Sequence, residues 1–188
     1  MGEVWFVTGG ARSGKSRFAE RLAARTGLEV VYVATLEPLD AEMVHRIARH
    51  QEARPSSWRT VEAPRDILGA LRSAPGDACV LLDCLSLWVT NLLLDGQPDP
   101  SPEAVSALAD GLERRIAAVL EAADARRGPL IVVSNEVGAG LVPEHALGRA
   151  FRDLLGWANQ QMAAHASEAW LLVAGRAIEL PPPLEDSD

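Results

Sequence analysis

Cysteine is scarce in this chain, positive charge is outnumbered, and long apolar runs are missing. The two cysteines, Cys79 and Cys84, form no C-x-x-C pair and lie in or beside one apolar stretch. That placement argues for reduced, buried thiols over a disulfide or a metal site. Lysine and arginine total 18 against 26 aspartates and glutamates, a net charge of −8. Broad nucleic-acid binding needs a basic surface that displaces counterions, so that class is excluded, while small anionic ligands can still bind at local basic sites. No run reaches transmembrane length. The pattern of a first strand begins almost at Met1, leaving no room for a secretory signal, so the cytoplasm is the expected compartment. Internal repeats and flexible linkers are absent as well. At 188 residues, one domain over residues 1–180 is expected, with PPPLEDSD from Pro181 a frayed tail.

Against these absences stands VWFVTGGARSGKSRFAE, residues 4–20. An apolar strand, Val4–Val7, runs into Gly9-x-x-x-x-Gly14-Lys15-Ser16, and a helix-compatible stretch, Arg17–Ala24, follows. This is a phosphate-binding P-loop in the context it requires. Glycines let consecutive backbone N–H groups turn inward around an anion, and the following helix presents its positive end. Lys15 would reach the β- and γ-phosphates, and the Ser16 hydroxyl would ligate Mg²⁺.

Further along, Val30–Ala34, Cys79–Leu82, Leu130–Ser134 and Trp170–Ala174 read as fully buried strands. Helical patterns lie between them at about 40–53, 64–73, 85–95, 102–126 and 144–166. Apolar strands alternating with helices indicate a parallel sheet covered on both faces. The expected fold is α/β: a three-layer, RecA-like P-loop architecture with a mostly parallel sheet and ligands at the carboxyl ends of its strands.

Two further elements bear on chemistry. Val80-Leu81-Leu82-Asp83 ends an apolar strand on a carboxylate, the pattern that supports Mg²⁺ behind a P-loop; a helix-capping Asp would look the same, and Leu130–Glu136 offers Glu136 as a competing acid. On the candidate helix from Asp40, Arg46, His50 and Arg54 recur every four positions and share a face. Neighbouring cations keep the imidazole neutral and nucleophilic, and the guanidiniums can bind phosphate oxygens, a set suited to attack on an α-phosphorus. A solvated basic face would show the same periodicity. His45 lies on another face, and His145 and His165 lack a basic setting.

The chain resembles the bifunctional adenosylcobinamide kinase/adenosylcobinamide-phosphate guanylyltransferase family of cobalamin biosynthesis. The resemblance is carried in order by TGGARSGKS (Thr8–Ser16), YVAT (Tyr32–Thr35), RIARHQEARPSSW (Arg46–Trp58), VTNLL (Val89–Leu93), NEVGAGLVPE (Asn135–Glu144) and FRDLLGWANQ (Phe151–Gln160). It implies two reactions: phosphorylation of the aminopropanol hydroxyl of adenosylcobinamide by ATP or GTP, then GMP transfer from GTP to the phosphorylated product through a guanylyl-histidine. By position the nucleophile is His50. Nucleotide contacts fall on Gly9, Gly10, Ala11, Arg12, Ser13, Gly14, Lys15, Ser16, Ala34, Thr35, Leu36, Gln51, Glu52, Ala53, Arg54, Glu62 and Asp83, and the metal site on Ser16 and Asp83. The chain departs from the family in Arg49-His50, where two histidines are common, and in Asp83, where glutamate is common. The resemblance also implies a homo-oligomer, expected to be a trimer. Corrinoid contacts are not specified: Arg149 and Arg152 could meet the substrate or pair with Glu144 or Asp153. Trp88, Trp157 and Trp170 fit core or interface, core being preferred. A single-activity P-loop kinase would need no His50, and a non-catalytic nucleotide module would need no corrinoid.

Overall fold

The apolar runs lie side by side in one seven-stranded sheet of order β3-β2-β4-β5-β1-β6-β7. The structure is a computed structural model that describes residues 2–37, 55–95 and 100–183. Its strands are β1 (Val4–Gly9), β2 (Val30–Ala34), β3 (Arg59–Glu62), β4 (Cys79–Asp83), β5 (Leu130–Asn135), β6 (Glu168–Val173) and β7 (Arg176–Glu179). Every pairing is parallel except β6 with β7. The helices are α1 (Lys15–Arg25), α2 (Ile67–Ser73), α3 (Leu85–Leu93), α4 (Pro102–Asp124) and α5 (Ala146–His165). Among the described residues no helix is long and apolar enough to cross a membrane.

The strands alternate between two cores, because successive side chains leave opposite faces. Val4, Phe6, Val31, Val33, Val80, Leu82, Leu130 and Val132 pack under α2–α5, whereas Val7, Val30, Tyr32, Cys79, Leu81, Ile131 and Val133 pack under α1. Being covered on both faces, β2, β4 and β5 need no polar alternation, and their continuous apolar sequences follow. Helix starts are chemically marked: Ser101 caps α4 by accepting from Ala104 N, with Pro102 in its first turn, and Asp66 caps α2 through Gly69 N. The apolar stripe Leu112, Ile116, Val119 and Ala123 then turns α4 onto the sheet.

Three expectations are corrected. β6 begins at Glu168, buries only Trp170 and Leu172, leaves Ala169 and Leu171 half-buried and exposes both ends, so it is not a fully buried strand. The reason is β7, an exposed hairpin partner at the sheet edge that the apolar pattern missed. β3 was missed likewise, since RTVE at the other edge has no apolar run. The helix expected at about 40–53 lies outside the described residues, as does most of the expected tail.

Candidate functional site at the carboxyl edge of the sheet

The P-loop joins β1 to α1 as its sequence requires. At Gly9 a β-carbon would stand 2.5 Å from Leu172 O, and Gly14 has φ 94°, so neither position admits a side chain without strain. Arg12 also adopts a positive φ of 56°, strain of the kind that sites retain. Gly14 is the N-cap of α1 and offers no side-chain cap, which leaves the first-turn N–H groups to an anion. Lys15 is the chain's only lysine, and its Nζ donates to Gly10 O at 3.1 Å, which holds the ammonium over the loop. The buried hydroxyls of Thr8 and Ser13 have no hydrogen-bond partner among the described residues. Behind the loop, the β6–β7 turn is docked by Gly175 N donating to Ser13 O at 2.9 Å.

Register brings the other candidates to the same edge. Gly9 is level with Asn135, and Ala34 is level with both Asp83 and Glu62. Asp83 leaves β4 on the face that carries α1, and its Oδ2 accepts from the Tyr32 hydroxyl at 2.7 Å. Ala34 and Leu36 are half-buried and Glu62 is exposed at the end of β3. Thr35 is fully buried: its Oγ1 accepts from Cys84 N and donates to Cys84 O, each at 2.8 Å, so its side chain faces the fold and not the solvent edge. Glu136, the competing acid, is exposed and accepts from Gly138 N at 2.5 Å, while its own N–H donates to Gly9 O. His45, Arg46, His50, Gln51, Glu52, Ala53 and Arg54 lie outside the described residues.

A largely buried polar network runs beneath this edge. Asn159 Oδ1 accepts from Ser134 Oγ at 2.5 Å, and Asn159 Nδ2 donates to Asn135 O at 3.0 Å. Asn135 Nδ2 donates to Ser86 Oγ at 2.7 Å, and Ser86 Oγ lies 3.0 Å from Cys84 Sγ. Asn91 Nδ2 then donates to Thr35 O and Pro64 O at 2.8 and 2.9 Å. The available signal was polar residues inside apolar stretches, such as Asn91 in LSLWVTNLL. Burial, aided by the charge of Asp83, pushes the Cys84 thiol up to about 11, which removes it as a nucleophile at neutral pH. Both cysteines are buried and unbridged, as expected. Trp88 and Trp170 are core residues, and Trp157 is partly buried against it. Arg152 pairs with Asp153 at 3.0 Å, whereas Arg149 donates to the carbonyls of Pro143 and Glu144 and so anchors the loop before α5.

The decisive comparison is with protein families: residues 5–180 match the model of cobinamide kinase / cobinamide phosphate guanyltransferase. The chain belongs to this family. It is 44% identical over 178 residues to the bifunctional adenosylcobalamin biosynthesis protein CobU of Salmonella typhimurium, covering 93% of this chain and 97% of that one. It is 44% identical over 180 residues to the corresponding CobP of Pseudomonas aeruginosa, covering 95% of each. Identity to CobU of Escherichia coli is 42%, over 93% of this chain and 97% of that one. Among solved structures it is similar to the RadB recombinase, with TM-score 0.47 and 16% identity over 90% of this chain and 73% of that one. The P4 protein of bacteriophage phi6 in complex with ADP gives 0.43 and 14% over 94% and 52%.

Proposed function

We propose that the chain carries both activities of its family, phosphorylating the aminopropanol hydroxyl of adenosylcobinamide and then transferring GMP from GTP to the product. The observation that carries this reading is the convergence at one sheet edge of an uncapped P-loop helix and a strand-end carboxylate, Asp83, on the same face. In the first reaction the loop from Gly9 to Ser16 holds the β- and γ-phosphates by backbone N–H groups, and Lys15 offsets charge as the γ-phosphoryl moves to the acceptor oxygen. Ser16 and Asp83 supply hard oxygen donors that suit Mg²⁺, a cation that keeps several waters and binds through few protein ligands. The metal, when bound, neutralises developing phosphate charge.

In the second reaction His50 attacks the α-phosphorus of GTP: an N–P bond forms and the bond to pyrophosphate breaks. A phosphate oxygen of the corrinoid then displaces histidine, so that GMP transfer proceeds in two displacements. Arg46 and Arg54, four residues to either side, would bind the phosphate oxygens. One sheet containing every described strand from Val4 to Glu179 supports a single domain over residues 1–180. Dependence on nucleoside triphosphates supports a cytoplasmic setting, and the family resemblance a trimer. Mass spectrometry after exposure to Mg²⁺ and GTP tests the reading: a GMP adduct on His50, acid-labile and base-stable, is expected. Kinase turnover with no adduct would instead indicate a single-activity kinase.

A further inference from the structure

Neither transfer step uses the hydrogen bond from Tyr32 to Asp83, yet it is the closest restraint on the carboxylate assigned to the metal. Tyr32 is the chain's only tyrosine, is 2% exposed, and packs with Val30, Cys79 and Leu81 in the core under α1. The register explains its reach. Asp83 is level with Ala34, two residues beyond Tyr32 on the adjacent strand, and both side chains leave the same face. Such diagonal neighbours lie within range of a long aromatic side chain. A buried phenol needs a partner for its O–H, and here the partner is a carboxylate oxygen, Oδ2, at 2.7 Å. The main chain at Asp83 is held as well: Asp83 O accepts from Thr35 N at 3.3 Å, and the next residue, Cys84, is clasped by Thr35 Oγ1. With its backbone and one oxygen held, Asp83 has Oδ1, which accepts no hydrogen bond among the described residues, to offer a divalent cation.

We propose that Tyr32 is a positioning residue for the metal, orienting Asp83 so that its second oxygen meets the Mg²⁺ that accompanies the nucleotide. This rests on the reading of Asp83 as a metal-supporting carboxylate. The cation draws electron density from Asp83, and the phenol that donates to the same carboxylate senses the change. Partners of this outer kind are worth roughly 10- to 100-fold in metal affinity, and a half-buried site puts the expected effect at the low end.

Because Tyr32 is unique, protein labelled with ¹³Cζ-tyrosine gives one phenol resonance. With a non-hydrolysable GTP analogue bound, adding Mg²⁺ shifts that resonance in the parent protein and not in Asp83→Asn. In Tyr32→Phe, Mn²⁺ affinity measured by electron paramagnetic resonance with saturating analogue falls about tenfold, and excess Mg²⁺ restores the kinase rate. A role confined to packing would change unfolding without changing metal affinity. If Asp83→Asn binds Mn²⁺ as tightly as the parent, the reading of Asp83 fails. If Asp83→Asn is weakened while Tyr32→Phe stays within twofold, the positioning role of Tyr32 is overturned. Should Tyr32→Phe not fold, a parent resonance indifferent to Mg²⁺ overturns it by itself.

Discussion

Lys15 is the one ammonium side chain in the protein, and the proposed function assigns it to the charge of the triphosphate. Replacing it by alanine removes a charge-assisted contact worth about 1.5–3 kcal/mol, a loss of roughly 10- to 150-fold in affinity for a GTP analogue. Both reactions should suffer, since both seat the same triphosphate, and titration calorimetry with turnover assays checks this. His50→Ala should separate the two. Phosphoryl transfer to a hydroxyl needs positioning and charge stabilisation but no protein nucleophile, so kinase turnover should persist while the GMP adduct and guanylyl transfer disappear. If an adduct of the same acid lability remains, His45 is the next residue to replace. The thiols set a pH limit of a different kind. Burial raises Cys79 from 9.0 to about 12 and Cys84 from 9.0 to about 11. The folded state therefore holds protons that the unfolded chain releases, and their stabilising share is intact below pH 9 and lost as pH rises through 11 and 12. Urea midpoints should fall between pH 8.5 and 10.5, and a double Cys→Ala variant should flatten that decline.

At the level of elements, what the sequence disclosed depended on how each strand is covered. β2, β4 and β5 are buried on both faces and were legible as apolar runs, whereas β3 and β7 are exposed edges whose residues, RTVE and RAIE, follow no apolar rule. Their pairing is decided by neighbours, which one-dimensional periodicity does not record. The site divides in the same way. The P-loop and Asp83 stand out as candidates because phosphate chemistry dictates both residue type and spacing. Tyr32, Ser86, Asn91, Asn135 and Asn159 do not, because the partners they satisfy are distant in the chain, 51 residues away for Tyr32 and 56 for Asn91 with Thr35. Asn91 shows how much such a residue can hold. Its amide on α3 joins the carbonyl after β2 to the carbonyl after β3, clamping both edge-side connections at once. Asn91→Ala leaves one buried and one half-buried carbonyl without that donor, an expected cost of about 2–4 kcal/mol. Equilibrium denaturation measures this, and a change below about 0.5 kcal/mol would mean that water replaces the amide.

Across the whole molecule, chemistry and cohesion occupy opposite ends of the sheet. The candidate phosphate site lies where β1, β2 and β4 finish, while the ends where strands begin are tied by Arg126. This arginine is 7% exposed and follows α4. Its guanidinium donates to the carbonyls of Leu71, Ala74, Pro75 and Ala78, so one side chain closes the connection from α2 into β4 against the end of α4. A second tie beside it joins α5 to α4, with His165 Nε2 2.9 Å from Asp124 Oδ1. Burial opposes the charge on Arg126, and its Nε has no partner among the described residues, so the residue is kept for the carbonyls it satisfies and not for net electrostatic gain. Arg126→Met keeps much of the volume but removes four hydrogen bonds, three of them to buried carbonyls, which places it among the most destabilising single changes, at about 3–5 kcal/mol. Because the site lies at the other end, the folded fraction of Arg126→Met should retain parental kinase turnover and nucleotide affinity. Urea denaturation paired with active-site titration with a GTP analogue measures both quantities. A large loss of turnover per folded site, at unchanged stability, would show that this end of the sheet shapes the chemistry after all.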